Sequence, residues 1–474
     1  MKTFYDIHLH ALNLGHVNLT AHLYREDMQQ LLASLIKENR LSLFAAGGLA
    51  SLMPKLVSKK IHEKFFSDEK SFLNILGNCL AFMEIPMEYQ FLVLEHYLLE
   101  NAGKGKALND KRQIVVNGQA YDKIVLCPLV IDFGYKNLSN NVFYKLTPKR
   151  PIASQVGDLL YAIRTYYRFY LEWQEAGKEK IGLSAEIKNP QANKHKKLFE
   201  IYPFMGLDTR NYSLTELRDL LKKYFNKFKG TDSAEDRRRR LFKKMGRLDS
   251  NMAGMDRNGK PIDYSNVFAG IKLYPQLGFD PWPDNPGERE KVEYLYNYCV
   301  EKRIPITTHC SDGGYKVDQK NDGLTRPGYN QKWWKALEKH PKLTINFAHF
   351  GAESKSPKRQ WRNAIIDMMD NKKFANVYAD ISCGDSDEDY YKELRNVFEP
   401  NPKDKLPENI KKYLPLSLPK KLPERLLFGS DFSINLLASK VNSYNAYLEA
   451  FQNSRLPHIN NLCEHNPERF LFGK

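Results

Sequence analysis

Histidine and aspartate residues recur at four places where a short β-branched or aromatic run ends. The four strings are Asp6-Ile7-His8-Leu9-His10, Thr307-Thr308-His309, Phe347-Ala348-His349 and Gly429-Ser430-Asp431. Imidazole nitrogens and a carboxylate that come from several separate strand ends are typical of a catalytic metal site. A fifth string, Gly270-Ile271-Lys272-Leu273-Tyr274-Pro275, puts a lysine in the same kind of place.

Each string alone also has a structural interpretation. His8 and His10 would share one face of a strand, but a pair with this spacing arises easily by chance among twelve histidines. Taken alone, His309 and His349 each fit a structural histidine that is held by hydrogen bonds, and Asp431 fits a turn or a helix N-cap. Their joint position at the ends of strands 1, 5, 6 and 8 favours the metal site, because α/β barrels carry their active sites at that end.

Eight strand-like runs must position these groups. Most are apolar throughout rather than alternating, as expected for parallel strands buried on both faces. Helical patterns lie between them, at Val156–Glu175, Leu214–Phe228, Gly287–Lys302, Lys332–Lys339 and Arg359–Met369. The chain is therefore predicted to form one (β/α)8 TIM barrel over residues 1–474. The eight runs are Thr3–Leu9, Lys123–Asp132, Leu198–Leu207, Phe268–Tyr274, Pro305–His309, Leu343–Ala348, Ala375–Ile381 and Arg425–Gly429.

Two stretches are longer than an ordinary connection between a strand and a helix. Residues 14–117 follow strand 1 on the side where substrates bind, so we expect a large helical insertion over the barrel mouth. Residues 211–262 form a second, basic helical insertion. Helical patterns in the first stretch are Arg25–Lys37, Leu56–Phe66, Glu69–Phe82 and Tyr89–Asn101.

The formal charge is +16 over 474 residues. Such a charge is typical of a solvated basic surface, with an anionic substrate or partner as the alternative. The one dense run, Arg237–Arg240, follows Glu235 and Asp236 and is interpreted as a charged helix surface. Because no aromatic interleaving or nucleic-acid motif accompanies it, we expect no nucleic-acid partner.

Location is predicted from the cysteines and the apolar runs. The six cysteines form no CxxC pair, which favours a reduced cytoplasmic protein over a disulfide framework. No apolar signal-peptide core precedes His8. The charge-free stretch 41–54 is too short to span a bilayer and contains glycines and a proline, so we expect no membrane association.

In these motifs the chain resembles the amidohydrolase superfamily of metal-dependent barrel hydrolases, in its amidohydrolase-related branch. The closing segment, residues 461–473, also resembles the Asn-containing final helix common in that branch. The likeness spans the barrel but not the 14–117 insertion, and it does not specify the substrate. The residues that carry it are His8, His10, His309, His349 and Asp431.

Lys272 decides how many metal ions the resemblance implies. Many binuclear members have a strand-4 lysine whose carbamate bridges two metals, and a neutral buried amine can add carbon dioxide to form such a ligand. The alternative is an ammonium that binds an anionic substrate or pairs with a carboxylate. The Lys-Leu-Tyr-Pro context is similar to that of dihydroorotases, but Ala11, Leu12 and Asn13 stand where their arginine is expected, which disfavours that activity.

The resemblance implies a divalent ion, with zinc favoured, that activates a water molecule. Asp431 would act as general base and then general acid. With two ions, His8, His10 and Asp431 would hold the first, His309 and His349 the second, and Lys272 would bridge them. With one ion, the set would be His8, His10, His309 and Asp431, while His349 would orient water or polarise the substrate.

The substrate is predicted less closely than the metal. Arg210 could clamp a carboxylate, and Tyr274 and Trp282 could line the pocket, although ordinary loop packing is the favoured interpretation of each residue taken alone. We expect hydrolysis of an amide, lactone or related ester bond in a small, anionic molecule. The alternatives are a metal-dependent, non-oxidative decarboxylase of a cyclic or aromatic acid and, from a different class, a non-catalytic binding barrel. Homo-oligomerisation is expected by analogy only.

Overall fold

The computed structural model describes thirteen parts of the chain. The predicted helices at Arg25–Lys37, Leu56–Phe66 and Glu69–Phe82 lie outside them. The described residues are 2–11, 86–132, 152–169, 171–173, 181–183, 197–245, 264–311, 314, 329–352, 360–382, 388–399, 421–434 and 444–473.

The chain folds as a (β/α)8 barrel of eight parallel strand positions, all at the predicted places. The strands are β1 (Thr3–Leu9), β2 (Lys123–Pro128), β3 (Phe199–Ile201 and Phe204–Gly206), β4 (Gly270–Leu273), β5 (Ile306–Thr308), β6 (Ile345–Phe347), β7 (Val377–Asp380) and β8 (Leu426–Leu427). Six strands form one sheet in the order β8-β7-β6-β5-β4-β3, and β1, β2 and the first part of β3 form another.

Backbone hydrogen bonds connect the two sheets at both junctions. On one side, Ile7 N donates to Phe428 O at 3.1 Å, and Asp431 N donates to His8 O at 2.7 Å. These bonds tie β1 to the residues after β8. They bring the His-x-His string and the Gly-Ser-Asp string to the same end of the barrel.

At the other junction, β3 is split where the sequence predicted one continuous strand, Leu198–Leu207. Pro203 has no N–H to donate, so the strand changes partner at this point. Phe199–Ile201 pairs with β2, whereas Phe204–Gly206 pairs with β4. The predicted helix Val156–Glu175 also needs correction, because it ends at Arg168 and Leu171–Trp173 instead pairs antiparallel with Ile181–Leu183.

Helices follow most of the strands, as predicted, and several have well-defined ends. Ser213 and Glu216 form a capping box at one N-terminus, and Asn285 caps the helix that begins at Pro286. The α-helices are Gln90–Glu100, Ile152–Arg168, Leu214–Phe225, Ala234–Met245, Pro286–Lys302, Tyr329–Lys339, Gln360–Asp370, Glu388–Phe398, Leu422–Arg425, Tyr444–Asn453 and Asn466–Phe472.

The described end of the 14–117 insertion contains the helix Gln90–Glu100, close to the predicted Tyr89–Asn101, and the strand Ile114–Val116. The helices Leu214–Phe225 and Ala234–Met245 lie in the 211–262 stretch. Whether either stretch acts as a separate unit stays a prediction.

The arginine run is only partly the charged surface that the sequence predicted. Arg237 is 2% exposed, and its guanidinium donates to Lys302 O and Arg303 O, the last carbonyls of a neighbouring helix. Arg239 and Arg240 form ion pairs with Asp236 and Asp232. Much of this basic charge is therefore used within the fold.

The final helix is packed against the amino ends of the barrel strands. Asn466 is 1% exposed, and its Nδ2 donates to Pro423 O and Leu426 O, both at 2.9 Å. The ring of Phe470 stacks on Phe204 with centroids 6.3 Å apart. These contacts explain why an asparagine stands at the start of this helix.

The barrel interior leaves no room for a side chain at Gly206. An added Cβ would lie 2.5 Å from Val130 O and 2.7 Å from Asp132 N, both backbone atoms that cannot move cheaply. We expect Gly206→Ala to lower the free energy of unfolding by about 1–3 kcal/mol. Gly157, exposed in a helix with open space around it, is the matched control, and Gly157→Ala should add roughly 0.5–1 kcal/mol. Urea unfolding of both variants tests this pair, and equal effects would contradict it.

The four described cysteines, Cys127, Cys299, Cys310 and Cys463, are all buried, and none of them forms a disulfide bond with another described residue. In the described parts of the chain, no helix combines the length and apolar character needed to cross a bilayer.

Candidate metal centre

The predicted metal ligands converge at the carboxyl end of the barrel. His8 is the second-last residue of β1 and His10 follows the strand, His309 follows β5, His349 follows β6, and Asp431 comes after β8. Each is at most 7% exposed. Because neighbouring parallel strands end at the same edge, residues far apart in sequence become neighbours here.

Asp431 lies at the centre of this cluster. Its Oδ1 is 3.2 Å from His10 Nε2 and 3.3 Å from His8 Nε2. Ligand atoms of His8, His349 and Asp431 all lie within 4.8 Å of one another. His309 joins from the other side, with its Nδ1 3.1 Å from His349 Nε2.

Two of these residues have a left-handed backbone. His349 has φ 61° and Asp431 has φ 57°. Such conformations cost a non-glycine residue on the order of 1–3 kcal/mol and are concentrated at functional sites. Here the two residues follow β6 and β8, and Asp431 N donates to His8 O.

In three of the histidines, the Nδ1 nitrogen faces a group that can only accept a hydrogen bond. His10 Nδ1 is 2.9 Å from Leu129 O, and His349 Nδ1 is 3.2 Å from Ser382 O. His8 Nδ1 is 3.1 Å from Asp380 Oδ2. All three rings must therefore carry a proton on Nδ1, so in a neutral ring the lone pair is on Nε2 and faces the site.

The protonation of these rings depends on burial and on two carboxylates. Burial lowers the pKa of His10 to about 4 and of His349 to about 3, so both are neutral at pH 7. Burial also opposes charge on His8, but nearby Asp380 outweighs it and the pKa of His8 is raised. Burial would raise the pKa of Asp431, yet contacts with His10 and His8 hold it well below its ordinary value.

This arrangement fits a divalent cation. His10 Nε2 lies 3.2 Å from Asp431 Oδ1, so the two atoms are close enough to bind one cation. His8 Nε2 is buried and forms no hydrogen bond among the described residues. Nitrogen and oxygen donors that converge in this way are the donor set of zinc and similar ions.

Lys272 lies in β4 with its side chain inside the barrel. The residue is 1% exposed, and among the described residues its Nζ has no hydrogen-bond partner. Burial lowers its pKa to about 8, although Asp380 and Asp431 act in the opposite direction. About a tenth of this amine is therefore neutral at pH 7, far more than for an ordinary lysine.

The three predicted substrate residues have different surroundings. The ring of Tyr274 stacks on His309, with centroids 4.4 Å apart and an interplanar angle of 20°. Arg210 is 41% exposed in its side chain and already forms a bidentate ion pair with Asp208, at 2.6 Å for Nη2. Trp282 is half-buried beneath the guanidinium of Arg289, at 5.4 Å. The described contacts thus connect Tyr274 to the cluster, Arg210 to Asp208 and Trp282 to Arg289.

Sequence reasoning missed Asp380 and Ser382. Asp380 ends β7 and is fully buried, and Ser382 follows it at 1% exposure. Burial would raise the pKa of Asp380, but His8 reverses this effect and holds it well below the ordinary value. The available signal was Asp380 itself, the single carboxylate in the predicted strand Ala375–Ile381.

Residues 265–472 match the family model described as amidohydrolase, Amidohydro_2. This match contains β4 to β8, and with them Lys272, His309, His349 and Asp431. No curated protein matches the chain.

The chain is also similar to solved structures, at 12–13% identity and with low TM-scores. An uncharacterized TIM-barrel protein from Bordetella bronchiseptica has 13% identity and a TM-score of 0.30, over 58% of this chain and 78% of that one. Amidohydrolase 2 from Bifidobacterium longum subsp. infantis has 13% identity and a TM-score of 0.26, over 44% and 62%. A proposed metal-dependent hydrolase from Lactobacillus casei has 12% identity and a TM-score of 0.35, over 99% and 95%.

The family match covers the strands that supply most of the buried cluster, and the described geometry joins to them the His-x-His string of β1. Residues 265–472 therefore match the amidohydrolase family model, and the chain is an enzyme of the amidohydrolase type.

Proposed function

We propose that the site binds a divalent cation, with zinc favoured, and hydrolyses an amide, lactone or related ester bond in a small, anionic substrate. The observation that carries this proposal is the orientation of the histidines. Their Nδ1 protons are held by outer acceptors, so the Nε2 lone pairs of His10 and His349 are directed into the site that contains Asp431. Neutral imidazoles and an ionised carboxylate are the states in which these side chains bind metal.

Each residue has a role in this proposal. A divalent cation bound here would lower the pKa of a water molecule toward about 7. Asp431 is ionised at neutral pH, so it can accept a proton from the attacking water and later pass it to the leaving group. The stacked ring of Tyr274 fixes the plane of His309.

The number of ions depends on Lys272. With one ion, His8, His10, His309 and Asp431 would hold it, and neutral His349 would orient the water or the substrate. With two, His309 and His349 would hold the second. The Lys272 amine would then add carbon dioxide, forming an N–C bond and releasing one proton, and the carbamate oxygens would bridge the ions.

We expect Lys272→Met to lower the bound metal from two equivalents to one if this carbamate forms. Reconstitution of the metal-free wild-type protein should also be faster with bicarbonate, and more so at pH 8 than at pH 7, because the neutral fraction of the amine rises from about a tenth to about a half. Elemental analysis of protein reconstituted at both pH values measures the effect.

Lys197→Met is the matched control for that experiment. Lys197 is also largely buried, but its ammonium lies 3.5 Å from Glu95, beside the start of β3 at the opposite end of the barrel. Its replacement should leave the metal content unchanged. An unchanged metal content in Lys272→Met would instead mean that the lysine remains an ammonium.

The residues that are proposed to bind the substrate already make contacts within the protein. A substrate carboxylate would compete with Asp208 for Arg210. Tyr274 lies beside His309 and offers an aromatic surface to the reacting group. Trp282 would line the outer part of the pocket. These features agree with a small acid that carries a cyclic or apolar portion.

A substrate screen with the zinc-loaded and the chelated protein tests the proposed function. Lactones, N-acyl amino acids and aromatic carboxylates form the panel, with pH-stat titration and carbon dioxide detection as separate readouts. Hydrolysis that is lost on chelation and regained with zinc would support the proposal. Release of carbon dioxide without hydrolysis would assign the site to decarboxylation, and turnover that survives chelation would overturn the metal role.

A further inference from the structure

The Ser382 hydroxyl lies between two of the proposed metal ligands. Its Oγ is 2.9 Å from His8 Nδ1 and 3.0 Å from His349 Nδ1. The same hydroxyl makes a short hydrogen bond to Asp380 Oδ1. One side chain on the loop after β7 therefore contacts histidines that come from β1 and β6.

The protons in this group can be assigned from the partners. The Asp380 carboxylate only accepts, so the Ser382 hydroxyl donates its single proton to Oδ1. The Ser382 oxygen is then left with lone pairs, and it accepts from Nδ1–H of both His8 and His349. Ser382 O and Asp380 Oδ2 are second acceptors for the same two protons.

Asp380 is itself held rigidly by further donors. Asn346 Nδ2 donates to Oδ2 at 2.6 Å, and the backbone N–H groups of His349 and Ser382 donate to Oδ1 at 3.0 and 3.1 Å. Its two oxygens thus connect β6, β7 and the imidazole from β1. The carboxylate can rotate little without breaking several of these bonds.

We propose that Asp380 and Ser382 act as one positioning unit that fixes the Nδ1 proton of both His8 and His349 and so directs both Nε2 atoms into the cation site. This inference rests on the cation site of the proposed function. Outer carboxylates and carbonyls that orient a histidine ligand typically change metal affinity by about 10–100-fold. The distinctive point here is that one hydroxyl serves two ligands, so its loss affects both at once.

Zinc affinity measured by chelator competition tests the proposal in Ser382→Ala and Asp380→Asn. We expect Asp380→Asn to lose about 10–100-fold in zinc affinity, and Ser382→Ala to lose at least about 10-fold. Ser382→Ala removes a single hydroxyl, so it keeps the test valid if Asp380→Asn does not fold. Tyr378→Phe is the control, because Tyr378 lies on the same strand but its hydroxyl contacts Arg425.

Nitrogen-15 NMR of histidine-labelled, metal-free protein supplies a second readout that does not depend on metal. His8 and His349 should carry the Nδ1 proton in the wild-type protein, with signals identified by loss in His8→Ala and His349→Ala. The Nδ1 signals of both His8 and His349 should shift in Ser382→Ala, because each ring loses one of its two acceptors, and should stay at their wild-type positions in Tyr378→Phe.

The outcomes separate this inference from the proposed function. Wild-type zinc affinity in both Ser382→Ala and Asp380→Asn would overturn the positioning unit while leaving the cation site intact. A wild-type protein with the expected tautomers that binds no zinc would overturn the proposed function. Weaker zinc binding together with shifted Nδ1 signals of both His8 and His349 in Ser382→Ala is the result that we expect.

Discussion

Asp431→Asn is expected to lower kcat by about 10²–10⁴-fold while most of the metal stays bound. The amide oxygen can still face His8 and His10, but an amide cannot accept the proton that a general base must take. Asparagine also tolerates the left-handed backbone that residue 431 adopts, at φ 57°, so the fold of the loop should be kept. Steady-state rates and the metal content of the same preparation measure the two effects separately.

The matched control is Asp232→Asn, which removes a carboxylate bound to Arg240 at 2.8 Å, away from the barrel mouth. Its kcat should equal that of the wild-type protein. If Asp431→Asn retained most of the activity, Asp431 could not be the group that moves the proton. A parallel loss of metal and activity would assign it a ligand role alone.

His8→Ala is expected to lower the metal affinity by at least about 100-fold, the largest effect on binding for any single change considered. His8 faces Asp431 with Nε2 and Asp380 with Nδ1, so its loss removes one ligand and also leaves Asp380 without a main partner. Chelator competition gives the affinity, and thermal unfolding without metal gives the change in stability of the fold.

His340→Ala controls for the removal of a buried histidine. His340 is 6% exposed and packs on Tyr296, with ring centroids 5.4 Å apart. This variant should lose stability but keep the metal affinity. Equal metal affinities in His8→Ala and the wild-type protein would remove His8 from the ligand set.

The sequence was sufficient to predict the barrel because its strands are continuous apolar runs that end in recognisable polar groups. All eight strand positions are confirmed, since burial on both faces leaves few alternatives for runs such as Phe268–Tyr274. The break in β3 was missed because the partner change at Pro203 depends on which neighbours are close in space. The end of the helix at Arg168 was missed because the helical pattern continues beyond it.

Because parallel strands of a barrel end at the same edge, the sequence also predicted that the histidines and Asp431 would lie close together, and the distances around Asp431 agree. The sequence could not give the direction of each ring. That direction depends on acceptors such as Leu129 O and Asp380, which become neighbours of His10 and His8 only through the register of the sheets. The same limit applies to Arg210. The sequence could not show whether its guanidinium is available to bind an anionic substrate or is already paired with Asp208.

The most direct test of the central claim is elemental analysis of the purified full-length protein. A site built from neutral, oriented imidazoles and an ionised carboxylate should hold at least one equivalent of a divalent transition metal, and two if Lys272 forms the carbamate bridge. The same protein, supplemented with zinc and freed of excess by gel filtration, should retain that amount. Less than roughly half an equivalent after supplementation would contradict the metal centre.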